Sequence, residues 1–235
     1  MTFHISPRLT AILVASLFLT SAAGAIAGAA LINPIINAPG YLSGVAAQSA
    51  TLTGGMLLWM VNNVGIVAIG LLMFPILKQQ NEALALGYVS MRMFEGLLMT
   101  VGVMFAMLLI PLSQEFVKAG AADAATFQAI GAVLKQGENT FLNTLQLLFL
   151  GLGGLIFTIL LFRGRLVPRA IAVVGIVGYG LCLIAFVIAL FGILDSTPGG
   201  PGTLLAVPVA FFEIILMPVW LYTKGFNTAR LSTGA

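Results

Sequence analysis

The chain alternates between apolar runs of twenty or more residues and short polar intervals. The runs cover residues 9–32, 52–77, 83–110, 139–162, 170–194 and 203–223. A helix crossing a hydrocarbon core of about 30 Å needs roughly 20 such residues, so the pattern predicts six transmembrane helices. The breaks between them carry turn chemistry or charge: Asn33-Pro34 to Gln48, Lys78–Glu82, Pro111–Glu138, Arg163–Arg169, and a Pro/Gly cluster over 195–202. Proline withdraws a backbone donor and glycine relaxes the chain, so such clusters end helices. The expected fold is an all-α polytopic membrane bundle, one transmembrane domain over residues 1–235.

The long interval before the fourth run has its own period. Phe127, Ile130, Val133 and Leu134 recur at helical spacing. Asp123 is placed to cap the start of that segment, and Lys135 suits the dipole at its end. A short amphipathic helix in the outer membrane interface is expected there.

Composition agrees with a chain solvated mainly by lipid. Hydrophobic residues make up 60% and charged residues 7%, against roughly 45–50% and 25% in soluble domains. The mean hydropathy is +1.11. A net charge of +3 needs no nucleic acid to explain it, because no basic run or aromatic-basic stripe is present. A few Lys and Arg outside the bilayer suffice to set orientation.

With the N-terminus cytoplasmic, the inner side receives Arg8, Lys78, Arg163, Arg165, Arg169, Lys224 and Arg230, and the outer side only Lys118 and Lys135. That bias predicts both termini inside. Trp220 and Tyr222 fall where an interfacial aromatic belt belongs. Ser21–Ala25 after Arg8 has the look of a signal-peptide cleavage site, but the apolar run continues to Ile32, longer than a usual signal core. The first helix is therefore read as retained.

Several chemistries are closed off. Cys182 is the one cysteine, so no intrachain disulfide forms, and His4 is the one histidine. Histidine-ligated haem, zinc or triad chemistry inside the membrane would need ligands from another chain. No phosphate-binding loop or metal motif is present, and no cofactor is expected. Small-residue faces at Gly24 and Gly28, at Gly151, Gly153 and Gly154, and at Gly175, Gly178 and Gly180 let helices approach closely. They leave the oligomeric state open.

Particular segments resemble a known family. Phe162-Arg-Gly-Arg-Leu-Val-Pro-Arg169, with Ile171–Gly175 after it, resembles the cytoplasmic turn and fifth helix of the bacterial family catalogued as domain of unknown function 4386. Phe212–Phe226, with its intramembrane Glu213 and closing Lys-Gly-Phe, is similar to that family's last helix. Tyr88–Glu95 resembles its third helix, and Ser6–Thr10 its opening. The resemblance covers nearly the whole chain and implies a six-span bacterial inner-membrane protein, with no activity established for the family.

The candidate chemistry lies in the few polar residues inside the runs. An ionisable side chain at mid-membrane costs from about 2.5 to well over 10 kcal/mol, so it normally faces the bundle interior with a partner. At 1.5 Å per residue, Arg92, Glu95, Glu213 and Tyr179 lie roughly 14, 18, 15 and 14 Å from the cytoplasmic ends of their spans. All four are expected in one layer, with Arg92 paired to Glu213 and Glu95 the exchangeable member. One arginine facing two carboxyls leaves a net −1 when all are ionised, so a proton or a cation completes the layer.

A second group, Asn62, Asn63, Asn139, Asn143 and Gln146, is expected either to line a cavity open to the outside or to bond between helices. Pro208 and Pro218 flank Glu213 and should bend the last helix.

Two functions follow from these residues. The first is binding or transport of a small solute, cation or proton through the Arg/Glu layer. The alternative is a non-catalytic accessory or lipid-binding subunit, with the ion pairs acting as a structural clasp. An enzyme is not expected. Ser90 is the only conceivable nucleophile near the layer, and a helical serine usually just bonds its own backbone.

Overall fold

The apolar runs fold into long helices because backbone polar groups in lipid must be satisfied within the segment. The computed structural model describes residues 6–120, 123–193 and 200–227. His4, Arg230 and most of the break at 195–202 lie outside the described residues. The helices are α1 (Pro7–Ile36), α2 (Tyr41–Ala47), α3 (Ser49–Leu77), α4 (Glu82–Ala119), α5 (Ala124–Asn139), α6 (Gln146–Gly164), α7 (Arg169–Leu190), α8 (Val207–Phe211) and α9 (Met217–Thr223). A wide π-helical turn, Thr140–Leu145, joins α5 to α6, and a second, Phe212–Leu216, joins α8 to α9.

Six continuous helical stretches are long and apolar enough to cross a membrane. The six expected spans are thus present, with corrections to their ends. Pro34 and Pro111 do not end helices but sit inside α1 and α4. Within a bundle, side chains re-satisfy the carbonyls that a proline frees. Near Pro111 the Ser113 hydroxyl donates to the Ile110 carbonyl at 2.7 Å, a bond beside the proline and not to the Met107 carbonyl that the proline frees.

The amphipathic segment is helical as expected, but it is not a separate element. Between Asp123 and Gly164 there is no proline, and the helix runs unbroken from α5 through the π turn into α6. Asp123 makes no side-chain cap; its backbone carbonyl accepts from Thr126 and Phe127 instead. α4 has 38 residues and the α5–α6 stretch 41, so each is roughly 60 Å long, about twice the hydrocarbon thickness. They extend beyond the spans together, with Phe116 edge-on to Phe127 at 6.1 Å.

Close approach of α1 and α3 depends on glycine. A methyl group added at Gly24 would lie 2.7 Å from the Leu58 carbonyl oxygen, and one at Gly28 would lie 2.7 Å from that of Gly55. Either would force the helices apart.

Both described ends of the chain lie at one end of the bundle. Arg8 donates to the carbonyls of Leu221 at 3.0 Å and Tyr222 at 2.6 Å. The Asn227 amide donates to the Leu166 carbonyl in the turn between α6 and α7. This clasp also gives the last orphan carbonyls of α9 a cationic partner. Arg8→Ala is expected to lower stability by about 1 kcal/mol, read as a fall in the detergent unfolding midpoint, with the mid-membrane layer undisturbed.

Candidate functional site

The layer is built outward from Arg92. It lies on the buried face of α4, with Tyr88 one turn before it and Glu95 one turn after, spacings that put all three side chains on one face. Gly70 of α3 leaves room for the arginine stem: a Cβ there would lie 3.1 Å from Cβ of Arg92. From this position the guanidinium fork reaches two acids. Nη1 is 3.0 Å from Glu95 Oε2, and Nη2 is 3.0 Å from Glu213 Oε1. Nε donates to the Tyr88 hydroxyl at 3.4 Å, and the guanidinium carbon lies 5.6 Å from the centroid of the Tyr88 ring.

Tyr179 of α7 closes the group. Its hydroxyl donates to Glu213 Oε1 at 2.6 Å and accepts from Arg92 Nη2 at 3.4 Å. Each donor of a guanidinium needs an acceptor once water is excluded, and here tyrosine oxygens supplement the carboxylates. Aromatic rings wall the layer in. Phe157 stacks on Tyr88 at 5.0 Å, and Phe212 meets Tyr179 edge-on at 5.8 Å. Gly154 of α6 lies directly under the Tyr179 ring, where a Cβ would overlap it.

Glu213 sits on the second π turn, with Pro208 and Pro218 on either side. Pro218 cannot donate to the carbonyl four residues before it, and a π turn accommodates that loss while turning its side chains. The bend expected from the prolines is therefore a wide turn that carries the acid.

Exposure separates the two acids. The side chains of Arg92 and Glu95 are 1% and 4% exposed, that of Glu213 24%. Glu213 opens into a crevice of about 230 Å³ between α1, α3 and α8, walled mainly by apolar residues, with Ser21 and Asn62 as further polar lining. The Ser21 hydroxyl is buried without a hydrogen-bond partner among the described residues.

The amide residues do not gather around this layer. Asn62 reaches the Glu213 crevice, whereas Asn63 faces α4, its amide 3.2 Å from the Thr100 hydroxyl. Asn139 and Asn143 line a separate cavity at the far end of the bundle, and Asn143 donates to Asn139 at 3.0 Å. Gln146 lines neither cavity, because the π turn rotates it off the line that an uninterrupted α-helix would hold. Tyr88, not singled out from the sequence, belongs to the layer; its signal was the four-residue spacing to Arg92. Ser21 carried no such signal.

No curated protein and no solved structure matches this chain. One family profile does, described as a domain of unknown function (DUF4386), and it matches residues 13–225, from within α1 to just beyond α9. The chain therefore belongs to the DUF4386 family.

Proposed function

We propose that this membrane protein binds or moves a small solute or ion, with Glu213 as the exchanging group of the Arg92 layer. The observation that supports this reading is the asymmetry of the two acids. Both contact one arginine, yet only Glu213 is open to the crevice. A fully ionised layer carries net −1, and ionisable groups inside membranes commonly mark ion or proton pathways. Glu95 and Arg92 form a sealed, balanced pair, so the proton or cation that completes the layer belongs on Glu213. The role is non-catalytic. The positive-inside charge bias, together with the joining of Arg8 to the end of α9, supports both termini in the cytoplasm of a bacterial inner membrane.

Proteoliposomes loaded with a pH dye test this directly. A membrane potential imposed on wild-type vesicles is expected to drive internal pH change above that of empty vesicles, and Glu213→Gln to abolish the excess. Equal rates in wild type, variant and empty vesicles would count against the reading.

The apolar walls of the crevice favour one further reading, a lipid-binding accessory role with an acyl chain seated beside Glu213. Its expected sign is a lipid retained through mild detergent purification and lost on Ala22→Trp, which fills the crevice.

A further inference from the structure

A second cavity, of about 390 Å³, lies at the end of the bundle opposite the clasp, between the last turn of α1, the start of α2 and the end of α5. This size falls within the range of small-molecule sites, roughly 300–1,000 Å³. Asn33, Asn37, Lys135, Glu138, Asn139 and Asn143 supply polar groups to its lining, with Tyr41 beside them.

Glu138 is the unusual member. It is only 8% exposed, and among the described residues its carboxyl makes no hydrogen bond or ion pair. A buried carboxylate without a partner is costly, and native proteins rarely leave one so. A counter-charge is close by. Lys135 precedes it by one turn on the same helix, a spacing at which acid and base ordinarily meet. Lys135 is instead held over the face of Tyr41, its Nζ 5.5 Å from the ring centroid. α5 carries Gly131 where the Tyr41 hydroxyl comes closest, and a Cβ there would overlap it. Burial raises the pKa of Tyr41 above its ordinary value, so the ring stays neutral and its face remains a good cation seat.

The cavity therefore presents a positive and a negative group that do not close into an ion pair, with asparagine amides in the same lining. A simple cation would meet Lys135, a simple anion would meet Glu138, and a sugar would leave both charges without a counter-charge. We propose that this cavity binds a free α-amino acid, its ammonium on Glu138 and its carboxylate on Lys135 and the neighbouring asparagine amides. The site is independent of the Arg92 layer, and neither depends on the other for its chemistry.

The test is thermal unfolding of the full purified chain in one detergent, titrated with each proteinogenic amino acid. Ethylamine, acetate and glucose serve as probes of the single features. At least one amino acid is expected to raise the midpoint saturably, as any ligand selective for the folded state does, while the three single-feature probes do not. Glu138→Gln and Lys135→Met are each expected to weaken that ligand at least about tenfold, as the loss of one charged hydrogen bond does, and Glu213→Gln to leave it unchanged. Lys135 is only half-buried, so its variant keeps the test sound where Glu138→Gln folds poorly. No response to any amino acid would overturn the assignment, and so would an equal response to ethylamine or glucose, or equal affinity in the Lys135→Met variant.

Discussion

Arg92→Gln is expected to be the most damaging single substitution in the layer, costing about 3–5 kcal/mol, the range for removing one partner of a buried ion pair. The size follows from what remains. Glu95 would be left sealed without its counter-charge, and Tyr88 and Tyr179 would lose the donor that now fills their oxygens. Glu95→Gln should cost much less, because it leaves one arginine against one carboxylate, a balanced pair. Arg92→Lys should not rescue, since a single ammonium lacks the planar fork that reaches two acids from one position. Unfolding midpoints of the three variants in one detergent check the order: Arg92→Gln lowest, Arg92→Lys next, Glu95→Gln nearest to wild type. A Glu95→Gln protein as unstable as Arg92→Gln would show that charge balance is not what holds the layer.

The second large effect is expected at Gly154, a residue with no chemistry of its own. Its missing side chain is the space in which the Tyr179 ring lies. Tyr179 is fully buried, walled by Phe212 and bonded to Glu213, so the ring has nowhere to retreat. Gly154→Ala should cost about 1–3 kcal/mol, as overpacking a filled core does. It should also pull the tyrosine hydroxyl away from Glu213. The diagnostic comparison is Tyr179→Phe, which removes the hydroxyl and keeps the ring. If both variants alter the Glu213-dependent flux while only Gly154→Ala lowers the midpoint strongly, the glycine acts through the position of that hydroxyl.

Much of the fold was legible in the sequence because lipid imposes a simple rule: about twenty apolar residues for each crossing. Misplaced ends came where soluble-protein punctuation was applied inside a bundle. Pro111 looked like a stop, yet α4 continues to Ala119, with Ser113 bonded beside the proline. The short α2 was missed because its seven residues follow a Pro-Gly turn and show too little periodicity to stand out. Neither π turn had a signature, and the first displaced a prediction. It moved Gln146 away from Asn139 and Asn143; the second carries Glu213, which lines the crevice.

The layer itself could be placed by counting helical rise from the span ends, since depth in a membrane is nearly one-dimensional. Arg92, Glu95, Glu213 and Tyr179 meet at the distances such a layer requires. Which acid is sealed and which is open could not be counted, because that depends on rotation about the helix axis. Glu138 went unnoticed for a related reason. Lys135 near it looked like an ordinary dipole partner, and only the structure shows the lysine seated over Tyr41.

The most direct test of the central claim is labelling by a hydrophobic carbodiimide, which reacts with protonated carboxyls it can reach from the lipid phase. Purified protein in nanodiscs, labelled, digested and mapped by mass spectrometry, is expected to carry the adduct on Glu213 and not on Glu95. Modification of Glu95 in place of Glu213, or of neither, would contradict the assignment of Glu213 as the group that opens to the membrane and exchanges its proton or cation there.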